Sequence, residues 1–122
     1  MVCAHIIESI RPVKRRRGAI LVYENVLLIR AKDDEEAMRK ARKRAEASNV
    51  SDDSATINGK PAVWSFVGIR KIVAVMNPAP LDQEGNEPVD GTEITYSKFE
   101  VKDERALSKL IDGKEIVVRY LE

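Results

Sequence analysis

Hydrophobic and polar positions alternate over the first ten residues, with Cys3, His5 and Ile7 on one side and Ala4, Ile6 and Glu8 on the other. Successive side chains of an extended chain point to opposite faces, so Val2 to Ile10 is expected to be a strand. RPVKRRRG follows, a run with a proline, four successive cations and a glycine that suits an exposed hairpin connection. Strand character returns from Ala19 to Ala31. Its run Val26-Leu27-Leu28-Ile29 is apolar on both faces, which predicts an interior strand covered on each side.

The pattern then changes period. Asp33 or Asp34 is expected to cap a helix whose first turn carries Glu35 and Glu36, with cations gathering toward the other end. Ala37, Met38, Ala41 and Ala45 recur at helical spacing and define a narrow face of small residues that can lie close to a sheet. Ser48 to Pro61 is polar and contains Asn58-Gly59, a reversal signal. Ala62 to Met76 predicts one long strand, with Trp64 and Phe66 on one face and Gly68 marking a bulge. NPAPLDQEGNEPVDG has no periodicity and is expected to be a loop carrying Asp82, Glu84, Glu87 and Asp90. Thr92 to Val101 alternates as a strand. Asp103 is placed to cap a short helix with Leu107, Leu110 and Ile111 as its stripe and Gly113 as its C-terminal cap. Lys114 to Tyr120 reads as a final strand. The expectation is a single α+β domain over residues 1–120, with a mainly antiparallel sheet of about five strands and two helices packed on one face. Its order would be β-β-α-β-β-α-β. Leu121 and Glu122 could be a tag remnant and carry no weight.

Composition narrows the function classes. The chain has 122 residues, 43% hydrophobic and 5% aromatic, so one aliphatic core is expected beneath a surface supplied by 34% charged residues. A net charge of +1 argues against a generic polyanion binder, leaving local patches as the means of binding one. One cysteine precludes an internal disulfide and suits a reducing compartment, and no stretch approaches the apolar length of a membrane span. A cytoplasmic protein that engages no membrane is expected.

Several segments resemble a bacterial family catalogued as domain of unknown function 4288. YENVLLIRA followed by DDEEAMRKA is similar to that family's strand and acidic helix start. WSFVGIRKI is similar to its aromatic-aromatic-Val-Gly strand, and DGTEITYSKF to its Gly-x-Glu-aliphatic-x-aromatic-Ser segment. The similarity spans roughly Met1 to Glu100, and the basic run Lys14 to Arg17 lies outside the pattern. The resemblance implies a compact α+β domain of bacterial source and carries over neither an activity nor catalytic residues.

Candidate chemistry is sparse. Cys3 and His5 stand two apart on one strand face, about 6.5 to 7 Å from each other, but no orienting group or oxyanion site is legible beside them. No catalytic set, metal site or cofactor is predicted. Lys14, Arg15, Arg16 and Arg17 form the best binding feature, four cations able to meet phosphates or a carboxylate-rich partner. The helix cations Arg39, Lys40, Arg42, Lys43 and Arg44 are offset by nearby acids and read as a solvated surface. The expected function is a non-enzymatic protein-binding module whose partner is itself, as a homodimer, or another protein. Alternatives are a nucleic-acid binder using Lys14 to Arg17, an immunity-type protein that binds a toxin, and an enzyme built on His5 or Cys3.

Overall fold

The computed structural model describes residues 1–14, 18–48, 56–78 and 87–122. Strands β1 (Val2–Pro12) and β2 (Leu21–Ile29) form an antiparallel hairpin. Helix α1 (Asp34–Ser48) follows, then the short β3 (Thr56–Ile57) and the long β4 (Lys60–Ala74). These four strands make one antiparallel sheet in the order β2-β1-β4-β3. Asn58 and Gly59, both with positive φ (52° and 77°), join β3 to β4 through the two-residue turn that their sequence announces.

The β1–β4 register explains how β4 bends. Lys71 faces His5 while Ile69 faces Ile6, and Gly68 faces Ile7 while Phe66 faces Glu8, so Arg70 and Val67 are each inserted as a bulge. The two bulges flank Gly68. They return Phe66, Ile69 and Ile72 to one face, where they join Ala4, Ile6 and Ile29 beneath Ala37, Ala41 and Ala45 of α1. Three fully or nearly fully buried alanines let the helix backbone approach the sheet. Met38, expected on this face, is instead exposed, because the contact surface follows the i, i+4 line of the alanines. The helix starts at Asp33, whose carboxylate accepts from the Glu36 N–H at 2.8 Å.

Four further sequence expectations need correction. β2 is an edge strand and not an interior one, because only its Leu27 and Ile29 side reaches the core. An apolar run cannot distinguish a face covered within the chain from one left open. Thr92 to Val101 is not a continuous strand: Glu93 bridges to Met76, and only β5 (Phe99–Glu100) pairs, with β6 (Arg119–Tyr120). Lys114 to Tyr120 likewise pairs only at its end, so the two segments flanking α2 are joined by a two-stranded ribbon. Finally, α2 (Glu104–Ile111) does not pack on the sheet as α1 does and meets no strand among the described residues. Its caps follow the sequence: Asp103 accepts from the Ala106 N–H at 2.9 Å, and Gly113 takes a left-handed φ of 73°. The fold is α+β with a curved antiparallel sheet and two helices.

Candidate functional site

The sheet face opposite α1 carries Cys3 and His5, and both are buried, His5 at 2% exposure. The cover comes from far along the chain. Thr95 lies over His5, with Oγ1 and Nε2 hydrogen-bonded at 2.6 Å. The other ring nitrogen, Nδ1, is buried without a hydrogen-bond partner and stands 3.7 Å from Glu24 Oε1. Glu24 in turn lies 3.6 Å from Arg70 Nε, and the Arg70 guanidinium stacks on Tyr120, 3.8 Å from the ring centre. Lys71 Nζ donates to the Tyr96 carbonyl at 2.5 Å and to the Glu122 carboxylate.

The bulge at Arg70 builds this cluster. An inserted residue lets two successive side chains, Arg70 and Lys71, approach the same face of the sheet, where strict alternation would have sent them apart. Burial pushes the His5 imidazole below its ordinary value, Lys71 adds to that effect, and Glu24 and Glu122 oppose it. Burial also raises the Cys3 thiol, which keeps it protonated and a poor nucleophile. Thr95, His5 and Glu24 lie in a line, in the order that a hydroxyl nucleophile, a base and an orienting acid would take. The 3.7 Å gap exceeds hydrogen-bond reach, however, and Glu24 is engaged by Arg70. What the contacts do is fasten residues 95–96 and 120–122 onto the sheet.

Beyond this covered centre the same face lies open. The β1–β2 register places Val22, Val26 and Leu28 of β2 opposite Ser9, His5 and Cys3. They are 52%, 41% and 46% exposed. The outer edge of β2 has no strand beside it among the described residues.

A second surface lies between the end of β2 and α1. Arg30, Arg39, Lys40, Lys43 and Arg44 line an open groove of about 450 Å³ with Leu28, Ile29 and Ala47, and no acidic side chain lines it. Counted along the sequence, these helix cations look balanced by acids. Three of the helix acids occupy the first turn of α1, and Glu46 near its end does not line the groove, while the cations that do line it stand at i, i+4 spacing. Lys40 binds Glu36 at 3.1 Å and the Arg30 carbonyl at 2.7 Å, and Arg30 pairs with Glu87.

Of the basic run singled out in the sequence, Lys14 is exposed, and Arg15, Arg16 and Arg17 lie outside the described residues. So do Asp82 and Glu84 of the acidic loop. Glu24, Arg70, Lys71 and Thr95 carry no sequence signal that groups them. Only the register of two strand pairs and a contact across 90 residues brings them to His5. Among the described residues no three His, Cys, Asp or Glu side chains are grouped to hold a metal, and no helix is long and apolar enough to cross a membrane.

Comparison with curated proteins and with solved structures returns no match. A family model described as Domain of unknown function (DUF4288) matches residues 3–96, which include nearly all of the four-stranded sheet, α1 and Thr95. The chain belongs to the DUF4288 family.

Proposed function

We propose that this protein is a non-enzymatic assembly domain that binds protein, its own copies included, through the open side of its sheet. The observation that carries the reading is the exposure of Val22, Val26 and Leu28 beside a nine-residue edge that no described strand pairs. Single exposed aliphatic residues are ordinary, but Val26 and Leu28 adjoin on one strand face, with Val22 beyond the ion-paired Glu24, next to an edge that no described strand covers, a surface of the kind that marks docking sites. The neighbouring chemistry supports it too. Cys3 is held as a thiol, and His5 is occupied in fastening the C-terminal segment. Size exclusion with light scattering, at low and high salt, tests the reading. A mass above that of one 13.7 kDa chain, maintained in high salt, is expected because the contact is apolar. A monomer at high concentration that captures no protein would overturn it.

The basic groove favours a second reading, binding of a nucleic-acid backbone by Arg39, Lys43 and their neighbours, with Lys14 as an outlying contact. Its affinity for a single-stranded oligonucleotide would fall steeply with salt. Absence of binding at low salt would end it.

A further inference from the structure

We infer that the partner on the open edge is a second copy of this chain, with the two β2 strands pairing antiparallel about a twofold axis at Asn25. The inference rests on the assembly reading above and specifies its surface. An unpaired strand edge is a template for another strand, and monomeric proteins blunt theirs with prolines, lysines, bulges or short length. The outer side of β4 is blunted in this way, by its two bulges and by Arg70 and Lys71. β2 carries one such charge, Glu24, which faces inward beside Arg70, and otherwise lacks these devices. Its nine residues, LVYENVLLI, pair with β1 without interruption and contain neither proline nor lysine.

The same nine residues are complementary to themselves. Turned about Asn25, the strand sets Leu21 against Ile29, Val22 against Leu28, Tyr23 against Leu27 and Glu24 against Val26 of the other copy. Every residue then opposes another, and three of the four distinct pairs join apolar side chains, the combinations that stabilise antiparallel neighbours. The two polar residues fall at the centre. Asn25 meets its own symmetry mate, and an amide both donates and accepts, so two can bond each other. Glu24 keeps Arg70 as its counterion. Sliding the strands by one pair in either direction gives up two of the nine pairings and moves Asn25 against an apolar residue.

Charge selects the same register. The basic groove lies at the Leu28–Arg30 end of β2. Pairing about Asn25 puts the two grooves at opposite ends of the joined strands, eight residues or about 27 Å apart at the usual strand rise. That separation is several times the screening length of about 8 Å in physiological salt. Pairing about Leu27 would halve it and leave only five residues in the ladder.

The test is cross-linking of Asn25→Cys. A residue on the axis faces itself at a Cα–Cα distance of about 4.5 to 5.5 Å, within the range a disulfide spans. Cys3, the other thiol, is buried. Mild oxidation should convert most of N25C to a covalent dimer, while Ser108→Cys on α2 should remain uncross-linked. Val22→Lys, which sets a cation against Leu28 of the other copy twice, should abolish the dimer seen by light scattering. If the wild-type chain is dimeric but N25C does not cross-link and V22K stays dimeric, this pairing is wrong and the assembly reading survives on another surface. A wild-type monomer at high concentration refutes the pairing, and capture of a different protein by that monomer would leave the broader reading standing. Should either variant misfold by circular dichroism, a mixed labelled and unlabelled wild-type sample decides. Intermolecular proximity of Tyr23 to Leu27 is expected, and its absence in a dimer overturns the proposal.

Discussion

At the residue scale the molecule turns on His5, a side chain buried from solvent whose charged form the fold disfavours. Its ordinary value is 6.5 and burial lowers it in the folded protein. Above 6.5 the imidazole is neutral in both states and makes stability no more dependent on pH. As pH falls through 6.5 toward the lower folded value, the unfolded chain takes up a proton that the folded chain refuses, so stability declines. The decline ends once the folded imidazole also protonates. Denaturant midpoints measured at successive pH values from 7.5 to 5 should therefore fall for the wild-type chain, and His5→Gln should flatten that slope. An unchanged slope would remove His5 from the account. Lys71 provides a second check. Lys71→Met removes a cation that disfavours the imidazolium, so the His5 titration followed by NMR should move upward. The same change should speed amide exchange at Leu121 and around Tyr96, because Lys71 tethers both Glu122 and the Tyr96 carbonyl. A downward shift would contradict this assignment of charges.

At the scale of elements, the short-range features are the legible ones. Asp33 and Asp103 as caps, Asn58-Gly59 as a turn and the bend near Gly68 are set by local chemistry and occur where that chemistry predicts. The covering of β2 is not legible, because Val26 and Leu28 look the same in sequence whether they face a core or open space. Thr92 to Val101 misleads for a related reason. Its alternation is real, but a strand also needs a neighbour, and only its two ends find one. The face of α1 gives a direct prediction. Ala41 is fully buried between helix and sheet, so Ala41→Leu should lift the helix and cost about 1 to 3 kcal/mol in chemical denaturation. Met38→Leu, on an exposed position of the same helix, should change stability by less than about 1.5 kcal/mol. Equal effects would mean that the alanine line does not set the helix–sheet distance.

At the scale of the whole molecule, the two sides of the sheet are treated differently. One is covered by α1; the other is covered at its centre, around Cys3 and His5, by a C-terminal segment that contributes Thr95, Tyr120 and Glu122. Among the described residues no strand covers the β2 edge, and Val22, Val26 and Leu28 beside it are exposed. The candidate site is therefore only partly readable from the sequence: alternation pairs Cys3 and His5 correctly on one face, whereas their partners come from a bulge and from a segment 90 residues away. The drift from acids to cations along α1 is legible, whereas the groove that its cations form with Arg30 is not, because a local count of acids and bases does not say which side of a helix faces the end of β2. The most direct test of the central claim, that β2 is an assembly edge, is amide hydrogen exchange of Leu21–Ile29 in dilute and concentrated wild-type protein. Slower exchange in this strand at high concentration, with α2 unchanged, is the predicted result; rates independent of concentration, in a sample shown to be monomeric throughout, would contradict it.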